Sequence, residues 1–94
     1  VSLPTVGHAG DGNMHPLLVF DGNDEAEVAR VRAAFAEIVK LALSLGGTIA
    51  AEHGVGTLKR EFVSDELDPT QLAVMGTIRN SLDPLNRLNP GKKL

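Results

Sequence analysis

The sequence contains no cysteine, and that absence excludes a disulfide framework, a Cys-type zinc site, an iron–sulfur cluster and a thiol nucleophile. It fits a reducing compartment. Tryptophan and tyrosine are also missing and phenylalanine occurs three times, so there are no aromatic platforms on which bases or sugars could stack. Positive charge is not in surplus: nine Lys and Arg stand against twelve Asp and Glu, a formal net charge of −3. This leaves no basic stripe for a phosphate backbone and no polybasic anchor for a membrane, and nucleic acid is not an expected partner. No apolar run approaches the roughly 18 residues a transmembrane helix needs, because the longest amphipathic stretch is broken by Arg, Glu and Lys. The opening Val1-Ser2-Leu3-Pro4-Thr5-Val6 has neither an initiator Met nor a charged lead before an apolar run. No signal peptide is expected, and the chain reads as starting in mid-structure. Any chemistry falls to polar side chains.

What is present, 94 residues with 43% hydrophobic and 22% charged side chains, predicts one soluble globular domain with a single modest core. Ser2 to His8 reads as a strand, Gly10-Asp11-Gly12-Asn13 as a turn, and Met14 to Phe20 as a second strand. Asp24, with Glu27 three residues on, has the form of a helix N-cap with a reciprocal carboxylate. The helix that follows carries Val28, Val31, Phe35, Ile38, Ala42 and Leu45 on one stripe and ends at Gly46-Gly47. Thr48 to Ala51 is a brief strand candidate leading into Glu52-His53-Gly54-Val55-Gly56, whose glycines mark backbone positions closed to bulkier residues. A second helix opens at Asp68-Pro69 with Gln71 as the reciprocal cap, buries Leu72, Met75, Ile78 and Leu82, and stops at Asp83-Pro84. Leu88 to Lys92 is too rich in breakers to be helical and is expected along a surface. The order predicts an α+β fold, helices on one face of a small, mainly antiparallel sheet.

All three histidines fall in the two glycine-rich segments and none in the helices. If Asp11-Gly12 form the centre of a primed hairpin turn, His8 stands directly opposite His15, with β-carbons about 4.5 to 5.5 Å apart. From there two ring nitrogens can converge on one cation. A wider loop changes the pairing without necessarily losing the convergence. The plainer alternatives are one histidine capping the turn, or two solvated ones. Glu52 supplies the carboxylate that a bare histidine pair lacks, and two nitrogens with one carboxylate leave an open position, as in catalytic zinc sites and facial iron triads. The alternative for Glu52 is a surface carboxylate at a strand end. In an extended segment His53 faces away from Glu52 and suits a base better than a fourth ligand, unless the glycines bend the chain.

Other motifs fail on inspection. Gly54-Val55-Gly56-Thr57-Leu58-Lys59 lacks the sixth-place Gly of a dinucleotide fingerprint and the Gly-Lys-Ser/Thr of a phosphate-binding loop. Asp21-x-Asn23-x-Glu25 begins like a calcium loop but has Ala26 where Gly is needed and Arg32 where a bidentate Glu closes the site. Ile49 occupies the place an inverted zincin requires for His.

Three segments in order, Gly7-His8-Ala9-Gly10-Asp11-Gly12-Asn13-Met14-His15-Pro16, then Gly46-Gly47-Thr48 through Ala51-Glu52-His53-Gly54-Val55-Gly56, then Asp83-Pro84 through Asn89-Pro90-Gly91-Lys92, resemble the C-terminal part of the FAD-linked oxidases. These are the flavoprotein dehydrogenases of D-lactate, glycolate and D-2-hydroxyglutarate. Within that family, His15-Pro16-Leu17 followed by Val19-Phe20-Asp21 resembles the FAD subunit of bacterial glycolate oxidases, whereas the hydroxyglutarate branch usually has Asn where Leu17 stands.

The resemblance implies an FAD-binding domain N-terminal to this region and a ferredoxin-like cap over the flavin, of which residues 1–94 match the last part. It implies a divalent metal, generally zinc, on His8, His15 and Glu52. It associates His53 with substrate and proton abstraction. Asn13 and Asn89 become candidate contacts to substrate or flavin, with a turn Asn and a tail Asn as alternatives. Lys59 and Arg60 are kept out of the catalytic set: such side chains are more often solvated, with pairing to a carboxylate as the alternative. The implied substrate is a small 2-hydroxy acid. The implied partners are a second flavin subunit and an iron–sulfur subunit, in the cytoplasm or held at the cytoplasmic membrane through them. The isolated chain is expected to oxidise little or nothing. Two readings compete: a stand-alone ferredoxin-like metal-binding or interaction module, and a hydrolase activating water at the same three ligands.

Overall fold

The computed structural model describes residues 2–94; Val1, the first residue of the expected domain, lies outside them. The fold is α+β, and the chain forms two compact units, Val1–Leu41 and Ala42–Leu94.

The first unit opens with an antiparallel hairpin of β1 (Thr5–His8) and β2 (Asn13–Pro16). The register pairs Thr5 with Pro16, Val6 with His15, Gly7 with Met14 and His8 with Asn13. The predicted second strand is cut short. Farther along the same register Ser2 and Val19 exchange both backbone hydrogen bonds, at 3.1 and 2.9 Å, but between Pro4 and Leu17 only the Leu17 N–H donates, at 2.9 Å. Pro4 has no N–H to return, so the regular ladder lapses there and resumes as an isolated bridge.

Helix α1 spans Glu25–Ser44. Asp24 caps it as expected, its carboxylate accepting from Ala26 N at 2.9 Å and Glu27 N at 3.1 Å. The reciprocal bond goes elsewhere: Glu27 Oε2 accepts from Asp21 N at 2.7 Å, closing the loop before the cap rather than the cap itself. That backbone donor holds the Glu27 carboxyl below the usual carboxylate range. Along the stripe Val31 is buried and Val28, Phe35, Ile38 and Ala42 are half-buried, whereas Leu45 lies beyond the helix end and is 78% exposed.

The second unit begins within the last turn of α1. Gly47 N bonds to Ala42 O at 2.8 Å and Gly46 N to Leu43 O at 3.0 Å, with Gly46 at φ +80°. The Gly-Gly pair ends the helix as expected, and does so through a left-handed glycine cap. The expected strand Thr48 to Ala51 does not form. Ile49 N donates instead to Glu66 Oε2 at 3.0 Å and Ile49 O accepts from Lys59 Nζ at 2.9 Å, so side chains satisfy the groups a neighbouring strand would have paired. Three short helical turns that the sequence reading passed over follow: α2 (Gly56–Lys59), a 3₁₀ turn (Arg60–Phe62) and α3 (Val63–Glu66). Each is too brief to show a periodic stripe, yet Ile49, Val55, Phe62 and Val63 are the buried apolar residues of this unit.

Helix α4 (Pro69–Leu82) has the full reciprocal cap predicted for it, with Gln71 N to Asp68 and Asp68 N to Gln71 both at 2.9 Å. Its predicted stripe is only partly covered. Leu72 and Met75 are half-buried, but Ile78 is 56% and Leu82 78% exposed. Periodicity marks a face; burial also needs a surface laid against it.

Asp83 ends α4 and is itself buried. Its two carboxylate oxygens accept from Arg87 N and Leu88 N, each at 2.8 Å, while Arg79 donates to Asn86 Oδ1 at 2.6 Å and Leu88 O at 2.9 Å. The Arg87 N–H first, then that of Leu88, hold the Asp83 carboxyl below its usual range, with the Arg79 charge assisting. A carboxyl lowered by folding stabilises above its unfolded pKa, about 3.9, and loses that contribution as pH falls through the folded value. Asp83→Asn is therefore expected to lower the melting temperature at pH 7, and the gap to wild type should narrow as pH falls below about 4. Thermal melts across that range check it; a gap independent of pH would contradict it.

Candidate functional site

In the first unit the histidine pair comes together, though not by the predicted register. The connection between the strands is the four residues Ala9 to Gly12, in place of a two-residue Asp-Gly turn. It is pinned by Asp11 N to His8 O at 3.0 Å, with Gly12 at φ +70°. His8 consequently faces Asn13, and His15 faces Val6. This is a slip of two residues from the expected pairing. A slip of one would have sent the imidazoles to opposite faces, but a slip of two keeps them on the same face as diagonal neighbours. The rings meet edge to face, centroids 5.4 Å apart and planes at 88°.

The same register puts Asn13 on that face, directly across from His8 and two residues before His15. Asn13 and His15 are half-buried and His8 is exposed. The face thus carries two imidazoles and a carboxamide within one hairpin. Strand alternation puts Asn13 on the face of His15 in either register, and the longer loop is what sets it directly across from His8.

In the second unit Glu52 and His53 form the tip of a tight turn. Gly54 N bonds to Ala51 O at 2.9 Å, and Gly54, at φ +67°, adopts the left-handed conformation that makes glycine necessary there. The segment is not extended, which corrects the expectation of opposite facing: His53 Nε2 lies 3.9 Å from Glu52 Oε1. Both side chains are exposed. Two further residues bear on this turn, and the sequence reading missed both. Lys59 Nζ reaches Ile49 O at 2.9 Å and Gly54 O at 3.4 Å, and Glu66 accepts from Ile49 N and Thr48 Oγ1. A lysine at position 59 carries no spacing signal that separates it from a solvated side chain, and no local spacing signals a carboxylate as far along as Glu66.

Asn89, the last candidate, is exposed in the C-terminal segment, at φ +44°. Arg79 and Asp83 fix the residues just before it. No helix among the described residues is long and apolar enough to cross a membrane.

The hairpin of the first unit presents two imidazoles, and the glycine-bounded turn of the second presents an imidazole and a carboxylate, in each case a class of donor that acid–base or metal-ligand chemistry uses. Comparison with known proteins narrows that class. The chain belongs to the family of FAD linked oxidases, C-terminal domain, whose model matches residues 2–93. It is 46% identical over 92 residues to the glycolate oxidase subunit GlcD of Bacillus subtilis, covering 98% of this chain and 20% of that protein. It is 45% identical over 94 residues to a probable mitochondrial D-lactate dehydrogenase of Danio rerio, covering 100% of this chain and 19% of that one. A D-lactate dehydrogenase of Archaeoglobus fulgidus is 42% identical over 93 residues, covering 98% and 20%. The chain thus spans about a fifth of the length of these curated relatives.

Proposed function

We propose that residues 1–94 form the C-terminal part of the cap domain of an FAD-dependent 2-hydroxy acid dehydrogenase, oxidising a small substrate such as glycolate or D-lactate to the 2-oxo acid. The observation that carries this reading is the pair of imidazoles meeting on one face of the hairpin, in a chain that belongs to the FAD-linked oxidases. His8, His15 and Glu52 are the proposed ligands of a divalent ion, zinc in the first instance. The chemistry of the donor set suits one: two imidazoles with one carboxylate leave a position open for substrate. Bound there, the ion would polarise the substrate hydroxyl, and flavin would serve as the hydride acceptor.

The chain's own residues divide the remaining work. His53 takes the hydroxyl proton on a ring nitrogen while the α-carbon gives up hydride and its C–O bond becomes a carbonyl. Its exposure at the tip of a turn leaves the ring reachable by substrate. Asn13, on the histidine face, orients substrate or flavin by hydrogen bonds, and Asn89 makes a second such contact. Leu17 follows His15 by two residues and is 49% exposed. It offers no donor to a second carboxylate, which favours a monocarboxylate substrate. In this reading the protein works in the cytoplasm or at its membrane, with a further flavin subunit and an iron–sulfur subunit as electron-carrying partners.

Anaerobic addition of D-lactate or glycolate to the flavin-loaded whole protein is expected to bleach the flavin absorbance. The 94-residue chain alone is expected to reduce no acceptor dye. Absence of bleaching with either acid, or dye reduction by the isolated chain, would overturn the reading.

A further inference from the structure

The turn that carries Glu52 and His53 belongs to neither named strand. Its residues are nevertheless tied down from both ends by one side chain. Lys59, the last residue of α2 and half-buried, donates from Nζ to Ile49 O at 2.9 Å and to Gly54 O at 3.4 Å. Ile49 precedes the turn and Gly54 closes it, so a single ammonium group bridges the chain on the way in and on the way out. On the approach, Glu66 of α3 accepts from Ile49 N at 3.0 Å and from the Thr48 hydroxyl. Both polar backbone groups of the buried Ile49 are thereby satisfied by charged side chains, and charge-assisted bonds of this kind are roughly twice as strong as neutral ones. The turn itself retains one short backbone bond, Gly54 N to Ala51 O.

We propose that Lys59 is a positioning residue for the Glu52–His53 pair, fixing the turn so that the Glu52 carboxylate is presented in a single conformation for the divalent ion. The inference rests on the ligand assignment made under Proposed function. Supporting residues outside the ligand set are worth about 10- to 100-fold in metal affinity when lost. The sign of the effect separates positioning from simple electrostatics. Removing a positive charge near a cation site strengthens cation binding by Coulomb's law, whereas releasing the turn weakens it.

The test is zinc affinity of the flavin-loaded whole protein, titrated with zinc alone after chelation. Lys59→Met is expected to weaken zinc about 10- to 100-fold. Lys59→Arg, which keeps a charged donor, should restore most of that loss. In a Glu52→Gln background Lys59→Met should add almost nothing, because the carboxylate it positions is gone. Zinc bound as tightly or more tightly by Lys59→Met, beside a weakened Glu52→Gln, would overturn the positioning role alone. Undiminished affinity in Glu52→Gln would overturn the ligand assignment and the positioning role with it. Should Lys59→Met fail to retain flavin, Lys59→Arg against Lys59→Gln carries the comparison, the arginine variant being expected to bind zinc more tightly than the glutamine one.

Discussion

His8→Ala and His15→Ala are each expected, on the proposed ligand assignment, to leave the flavin-loaded protein without a divalent ion and without turnover. The ring centroids lie 5.4 Å apart on one face of the hairpin, and each alanine leaves the proposed ligand set one nitrogen donor short. Two protein ligands hold a divalent ion poorly, and the loss should exceed the roughly 10- to 100-fold typical of an outer-shell partner. Elemental analysis after gel filtration reads occupancy, and dye-coupled oxidation of D-lactate or glycolate reads turnover. Full metal content in both variants would contradict the assignment. The hairpin should survive either change, because its register is set by backbone bonds and the Ala9–Gly12 connection rather than by the imidazoles.

The second large effect concerns the neighbours at the turn. Glu52→Gln replaces a charged oxygen donor with an amide and is expected to lower metal affinity, with added zinc partly restoring the rate. His53→Ala is expected to retain the metal and to lower kcat by about 10² to 10⁴, the range for a lost general base, with no rescue by zinc. The two side chains come within 3.9 Å at the tip of one turn, so the separation of roles rests on their chemistry rather than on opposed facing. Metal content and kcat measured on both variants decide it. Loss of metal from His53→Ala, with Glu52→Gln fully loaded, would reverse the roles.

Features fixed by neighbouring residues were legible in the sequence. The Asp24 and Asp68 caps, the Gly46-Gly47 stop and the break at Asp83 all formed where local hydrogen-bonding chemistry placed them. The convergence of His8 and His15 was legible for a sturdier reason, since strand parity survives a register slip of two. The register itself was not, because it depends on the length of a loop that Asp-Gly alone does not fix. The strand expected at Thr48 to Ala51 was lost to partners distant in sequence. Glu66 and Lys59 satisfy the Ile49 backbone from 17 and 10 residues away, and nothing in the local β-branched pattern announces them. Burial along α4 failed likewise, because periodicity gives Ile78 and Leu82 a face but not a surface to cover it. Among the site residues, the place of Asn13 directly opposite His8 is what only the pairing reveals.

The proposed role couples two things in one protein, a flavin reduced by a 2-hydroxy acid and a divalent ion held by His8, His15 and Glu52. Anaerobic mixing of the flavin-loaded whole protein with D-lactate or glycolate, before and after removal of metal by a chelator, reads both at once through the flavin absorbance. Rapid bleaching that disappears on chelation and returns with added zinc is the predicted result; bleaching at an undiminished rate in the metal-free protein would contradict it.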